Sequence, residues 1–263
     1  MLKQLAIAAA CLFIVDAAAA DEPARTLAEA IANRPANEGR AGDMIFELTA
    51  SSGAVRNRRA LMIHSDKDGF VRIGIFFNAP AAIADTAFLT HDRPDAADEN
   101  WLYLPATERV RRLPSSERGS YFMGTDLTYG DIKDNFTFNL DDWHFSNGMP
   151  DPETGLLGLE GQVRTPEIAR EIGYSRFSAL VDPETLFPVR VDYDDVSGNP
   201  LKRVEVLEQE MIGGAWTAMR FEAHNLQTGH TTRVHFENMR YVPELDDRVL
   251  TSGQLALGAP TIR

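Results

Sequence analysis

The stretch WLYLPATERVRRLPSSERGSYFMGTDLTYGD, residues 101–131, decides how the rest of the chain is read. Trp101, Leu102, Tyr103 and Leu104 make a short aromatic and aliphatic run. Pro105 to Glu108 have turn chemistry, and residues 109–113 return with three arginines, Arg109, Arg111 and Arg112. Two β-prone runs around a proline-led turn predict a hairpin, apolar on one face and cationic on the other. Beyond Pro114, Tyr121-Phe122-Met123 leads into Gly124-Thr125-Asp126, whose residue types suit a turn. Thr128 and Asp131 then stand at capping-box spacing, so a strand end should feed a short helical turn.

Working outward, residues 21–32 predict a helix, with Leu27 and Ile31 on one face, Thr26 and Glu29 at capping-box spacing, and Arg34-Pro35 as the stop. From Asp43 the period becomes two: Met44, Phe46, Leu48 and Ala50 alternate with polar residues up to the turn at Ser51-Ser52-Gly53. Residues 70–77 are apolar except for Arg72, as in a strand buried on both faces or one lining a cavity. Residues 92–100 read as a polar loop and residues 147–152 as irregular, while Phe136, Phe138 and Leu140 alternate as in a strand. Thr165-Pro166 with Gly173 behind brackets a single short helix or an ordered loop. After it, strand candidates at 174–181, 189–194, 201–208, 216–224 and 230–241 are separated only by Asp-Pro and Gly-containing turns, which predicts an antiparallel meander.

Composition narrows the function classes. Residues 1–20 combine Lys3, an apolar run over 5–15 and Ala18-Ala19-Ala20, the pattern of a cleavable secretory signal, too short to span a bilayer. Reading Cys11 as a lipidation site would leave residues 5–10 as the apolar core, below the roughly 7 to 15 residues such a segment needs. The signal carries one base, Lys3, and one acid, Asp16, so the chain left behind keeps the formal charge of −13. It also keeps no cysteine, so its fold must rest on core burial rather than disulfides. The acidic balance disfavours nucleic acid or anionic lipid surfaces as partners held by charge alone.

The order WLYLP, VRRLP, YFMGTDLTYGDI resembles the LolA-like outer-membrane lipoprotein-sorting proteins, which carry an aromatic LY-P hairpin, a basic strand and a GTD/GSD-aromatic-D segment. The likeness continues through ALVDPETLFPVRVDYDDVSGNPLK and TTRVHFENMRYVPELDDRVLTSGQL, covering residues 39–255. It implies a mainly β fold: a curved antiparallel sheet forming an incomplete LolA/LolB-like β-barrel, with short helices across its mouth and an apolar cavity for acyl chains. On that reading residues 21–263 are a single LolA-like periplasmic domain. The function expected is a carrier of lipoprotein or lipid acyl chains, with an inner-membrane exporter and an outer-membrane acceptor as partners. A periplasmic sensor working with an envelope partner is the alternative, and an envelope lipid hydrolase the second.

Candidate chemistry is sparse. His224, His230 and His235 do not share a strand face, and Asp66-Lys67-Asp68-Gly69 lacks the remaining ligands of a calcium loop, so no metal or cofactor is expected. No G-x-S-x-G elbow or phosphate loop occurs, which argues against an enzyme. The residues proposed to line a ligand cavity are Met44, Phe46, Phe70, Phe76, Trp101, Tyr103, Tyr121, Met123, Phe136 and Phe138. Arg109, Arg111 and Arg112 are candidates for contact with a partner or a lipid headgroup, against the plainer role of a solubilising outer strand.

Overall fold

The computed structural model of the protein describes residues 22–93 and 96–262; the signal peptide and Cys11 lie outside the described residues. Alternating sequence yields thirteen strands: β1 (Arg40–Thr49), β2 (Val55–Lys67), β3 (Phe70–Ala79), β4 (Ala87–Arg93), β5 (Ala96–Leu104), β6 (Arg109–Leu113), β7 (Trp143–Pro150), β8 (Leu157–Val163), β9 (Arg176–Val181), β10 (Pro188–Asp194), β11 (Pro200–Ile212), β12 (Ala215–Asn225) and β13 (Thr231–Tyr241). They form one curved antiparallel sheet in the order β6-β5-β4-β3-β2-β1-β13-β12-β11-β10-β9-β8-β7. Two meanders are thus joined at the middle by β1 and β13, and among the described residues the outer strands β6 and β7 do not pair, so the barrel is not closed.

Three apolar clusters follow from strand parity. On the concave side Met44, Phe46, Met62, Ile73, Ile75, Phe77 and Phe88 of the first meander meet Val204, Phe221 and Val234 of the second. The far wing packs Trp143, Phe145, Leu159, Phe177 and Val181 against helix α1 (Glu22–Ala32), whose Ala24, Leu27, Ala28 and Ile31 form the buried stripe expected at helical spacing. The helix lies so close to β7 that a Cβ on Gly148 would stand 2.7 Å from the backbone nitrogen of Ala24; with φ at +75° the position suits glycine. On the convex side the C-terminal tail brings Val242, Leu245, Leu250 and Leu255 over Ile63, Phe76, Ala87 and Leu89. Arg72 and Lys67 both donate to Asp247, at 2.7 and 2.8 Å, and pin that tail.

Three expectations are corrected. Residues 92–100 are not a loop: β4 runs to Arg93 and β5 starts at Ala96, with Thr90 opposite Asn100 and His91 opposite Glu99. β7 continues to Pro150 with a register shift after Asn147, tolerated because an edge strand need not donate from every residue. Residues 136–140 form no strand, since Asn135 and Phe136 have φ of +45° and +63° and turn the chain across the concave face.

Candidate functional site

The segment between β6 and β7 does not skirt the sheet; it crosses the concave side. Tyr121 and Thr128 form a single β-bridge, and Thr128 caps helix α2 (Tyr129–Asp134) in the reciprocal box its spacing implied: Asp131 N donates to Thr128 Oγ1 at 3.1 Å and Thr128 N to Asp131 Oδ2 at 2.6 Å. Phe122, Leu127 and Ile132 are buried beneath it, with Phe122 packed edge-on to Phe88 and Tyr129.

Two polar latches hold this crossing in place. Asp126 Oδ2 accepts from Thr232 Oγ1 at 2.7 Å and from His230 Nδ1 at 2.5 Å, while Asp126 N donates to Thr232 Oγ1. Lys202 of β11 is fully buried. Its Nζ donates to Asp131 Oδ2 at 2.5 Å, to Tyr174 Oη at 2.5 Å and to Asp126 O at 3.1 Å. Tyr174 Oη in turn donates to Asp131 at 3.0 Å, and burial, followed by the Asp131 charge, pushes the phenol well above its ordinary pKa. An ammonium with three oxygen partners is compatible with complete burial because its donors are satisfied.

Between the crossing, the end of α1 and the sheet lies a hollow of about 530 Å³. Met44, Met62, Ile73 and Ile75 form one wall; Val191, Val204, Ala218 and Phe221 form another; Leu127, Ile132, Phe136, Phe138 and Phe187 cover it. Phe136 is held edge-on by Phe221 at 5.0 Å, and Phe138 stacks on Phe177 at 4.1 Å and 3°. The volume falls within the roughly 300–1,000 Å³ of small-molecule sites, and beside these apolar walls the lining carries charged groups, among them Arg34, Arg40, Asp66, Asp92 and Lys133.

Of the ten residues proposed for a cavity, the structure brings Met44, Phe136 and Phe138 to the hollow. Phe46 is on the same concave face but fully buried, against Phe77 and Phe122, and Met123 packs on that cluster. Tyr121 is 44% exposed and accepts from Asn225 Nδ2 at 3.2 Å. Phe70, Phe76, Trp101 and Tyr103 belong to the convex face, a correction of side: Ile73 and Ile75 carry the concave parity of β3, so Phe70 and Phe76 point the other way. Both parities of β3 are apolar because the tail covers its outer face, and that covering is not visible locally. On edge strand β6, Arg111 pairs with Glu117 and Arg112 with Glu99, both at 3.1 Å, while Arg109 is exposed.

The polar part of the lining was not anticipated. Arg34 lies over the Phe187 ring at 4.4 Å and donates to the Leu186 and Phe136 carbonyls at 3.0 and 2.9 Å. Arg40 opens β1 opposite His64 of β2, and both are buried. Burial lowers both guanidinium pKa values to about 10, with Arg40 contributing to the shift of Arg34. Burial, then the Arg40 charge, holds His64 well below its ordinary value, so the imidazole is neutral. Two strands further along, on β4, burial raises Asp92 to about 6 despite Lys133, with Asp98 adding to the rise. Lys133 bridges Asp98, Asp134 and Asp92 at 2.8, 3.1 and 3.4 Å, and against burial these acids keep it charged.

Comparison with known proteins agrees with this architecture. The fold matches a DUF1329 family protein from Desulfovibrio piger (TM-score 0.79, 24% identity, 90% of this chain and 99% of that one). It also matches a putative outer membrane lipoprotein-sorting protein domain from Vibrio parahaemolyticus (0.78, 23%, 88% and 97%) and a LolA superfamily protein from Nitrosomonas europaea (0.64, 19%, 88% and 97%). Among curated proteins the sequence has no match. A family model described as an uncharacterized protein covers residues 71–256. With that span matched, the chain belongs to the DUF1329 family, and its open, thirteen-stranded curved sheet has the fold of the LolA superfamily.

Proposed function

We propose that residues 21–263 act as one periplasmic carrier unit that shelters acyl chains of lipoproteins or lipids while they cross between membranes. The observation that carries this reading is the hollow of about 530 Å³, bounded by apolar side chains from both meanders and from the crossing segment. Each methylene moved from water into such a lining contributes about 0.8 kcal/mol, so a hydrocarbon tail is retained without directional chemistry. Likeness to a putative lipoprotein-sorting domain supports the reading at the level of fold. Arg34, whose backbone acceptors are the covering residue Phe136 and Leu186, the neighbour of the covering Phe187, is suited to hold the cover shut until cargo arrives.

Native mass spectrometry of protein purified from the periplasm, with lipid extraction of the same sample, tests this. Co-purifying acyl species, together with saturable binding of a fluorescent fatty acid, are the expected result. A bare polypeptide mass with no fatty-acid binding would sink the proposal, and a stoichiometric protein partner with an empty hollow would replace it by a sensor.

A further inference from the structure

The hollow contains a buried guanidinium that forms no direct ion pair. Arg40 is 5% exposed, and among the described residues its guanidinium makes no hydrogen bond and has no carboxylate within 4.0 Å. Its Nε is closed off from solvent and unpartnered, as is Nδ1 of His64 directly across the β1–β2 ladder. Every other strongly buried cation in this part of the molecule is matched: Lys202 by Asp131, Lys133 by three acids, and Arg34 by two carbonyls. Asp66 is near enough to Arg40 to favour its charge, yet forms no ion pair with it. With His64 neutral, the group Arg34, Arg40, His64 and Asp66 holds one surplus positive charge, in a protein whose formal charge is −13. Leaving a buried guanidinium unpaired costs several kcal/mol, and its planar fork of donors matches a carboxylate or phosphate.

We propose that Arg40, with His64 and Arg34 beside it, receives the anionic head of an amphiphile whose hydrocarbon tail lies in the hollow. This rests on the carrier reading and refines it: the cargo is selected by a carboxylate or phosphate oxygen at one end of an apolar tail. Of the acids around Lys133, Asp92 on β4 and Asp134 at the end of α2 line the hollow, and Asp92 lies about three strand spacings of ~4.8 Å from Arg40, so the acids stand apart from the Arg34–Arg40 pair. That separation favours an anionic head at the Arg40 side.

Isothermal titration of the delipidated protein with dodecanoate, dodecyl phosphate and dodecanol separates the two claims. The anionic probes should bind ~10- to 100-fold more tightly than the alcohol, the size of a hydrogen bond to a charged group. Arg40→Met should bring them down to the alcohol's affinity and leave dodecanol unchanged, whereas Asp66→Asn should tighten the anions only. Whichever of dodecanoate and dodecyl phosphate binds better identifies the head as a carboxylate or a phosphate. Equal affinity for all three probes overturns the anion site while the hollow stands, as does an anion preference that survives in Arg40→Met. Failure of every probe to bind overturns both proposals. If Arg40→Met does not fold, the wild-type series together with Asp66→Asn decides the matter, and an anion affinity unchanged in Asp66→Asn overturns the placement at Arg40.

Discussion

Replacing Lys202 by Met tests whether the crossing segment is latched to the sheet as described. The substitution keeps most of the aliphatic stem and removes one charge from a site with no solvent exposure. Asp131, with 13% of its side chain exposed, then loses its ion pair, and Tyr174 Oη and the Asp126 carbonyl each lose a donor. Breaking a buried pair by deleting one partner costs about 3–5 kcal/mol. Because Asp131 retains the Thr128 N–H and the Tyr174 hydroxyl, the lower end applies, about 3 kcal/mol. Urea unfolding should show a midpoint lower by about 1 M or more, for slopes near the upper end of ~1–3 kcal/mol per M. Asp131→Asn combined with Lys202→Met removes both charges and should recover much of the loss, since the uncompensated carboxylate is the main source of it. A single-variant loss below about 1 kcal/mol, or a double variant no more stable than Lys202→Met alone, would refute the reasoning.

Other expectations are briefer. Ala218→Phe, on the β12 wall of the hollow, should displace about four methylenes of a guest and weaken fatty-acid binding by about two orders of magnitude with little change in unfolding; undiminished binding contradicts the site. A methyl group at Gly161 would run into the Phe177 ring, which is fixed by Phe138 and Trp143, so Gly161→Ala should cost about 1–3 kcal/mol in a denaturant titration, and a neutral result would mean the far wing repacks freely. Asp92 has its folded pKa raised to about 6, so it favours the folded state below the ordinary carboxylate range near pH 4, and this contribution is lost as pH rises through about 6. Asp92→Asn should therefore gain stability relative to wild type between those limits, and a difference that does not change with pH would count against it.

How much of this was legible depended on whether the signal was local. Thr128 and Asp131 announce a cap by spacing alone, and the cap is there, as are the hairpin from Trp101 to Leu113 and the short helix between Thr165 and Gly173. The meander of the second half follows from its turns. The hollow was harder to read, because a period-two pattern separates two faces without saying which one encloses space. On β3 both faces are apolar, and choosing Phe76 over Ile75 meant choosing the face that the distant tail happens to cover. Phe136 and Phe138 reached the hollow by a different route than their alternation suggested, through a left-handed turn rather than a strand. Arg40 gave no local sign at all: a lone arginine at the head of a strand reads as solvated until its neighbours are known.

The seam between β1 and β13 carries a consequence for how the chain matures. Glu47 and Arg233 meet across it although 186 positions separate them, so this join is among the last that a growing polypeptide can make. Until β13 emerges, β1 and β12 each present a bare ladder of amide and carbonyl groups, a template for pairing with a neighbouring molecule. Premature termination before Thr231 would therefore yield two sticky half-sheets rather than a weakened version of the whole sheet, and escorting the nascent protein matters most over its final strand.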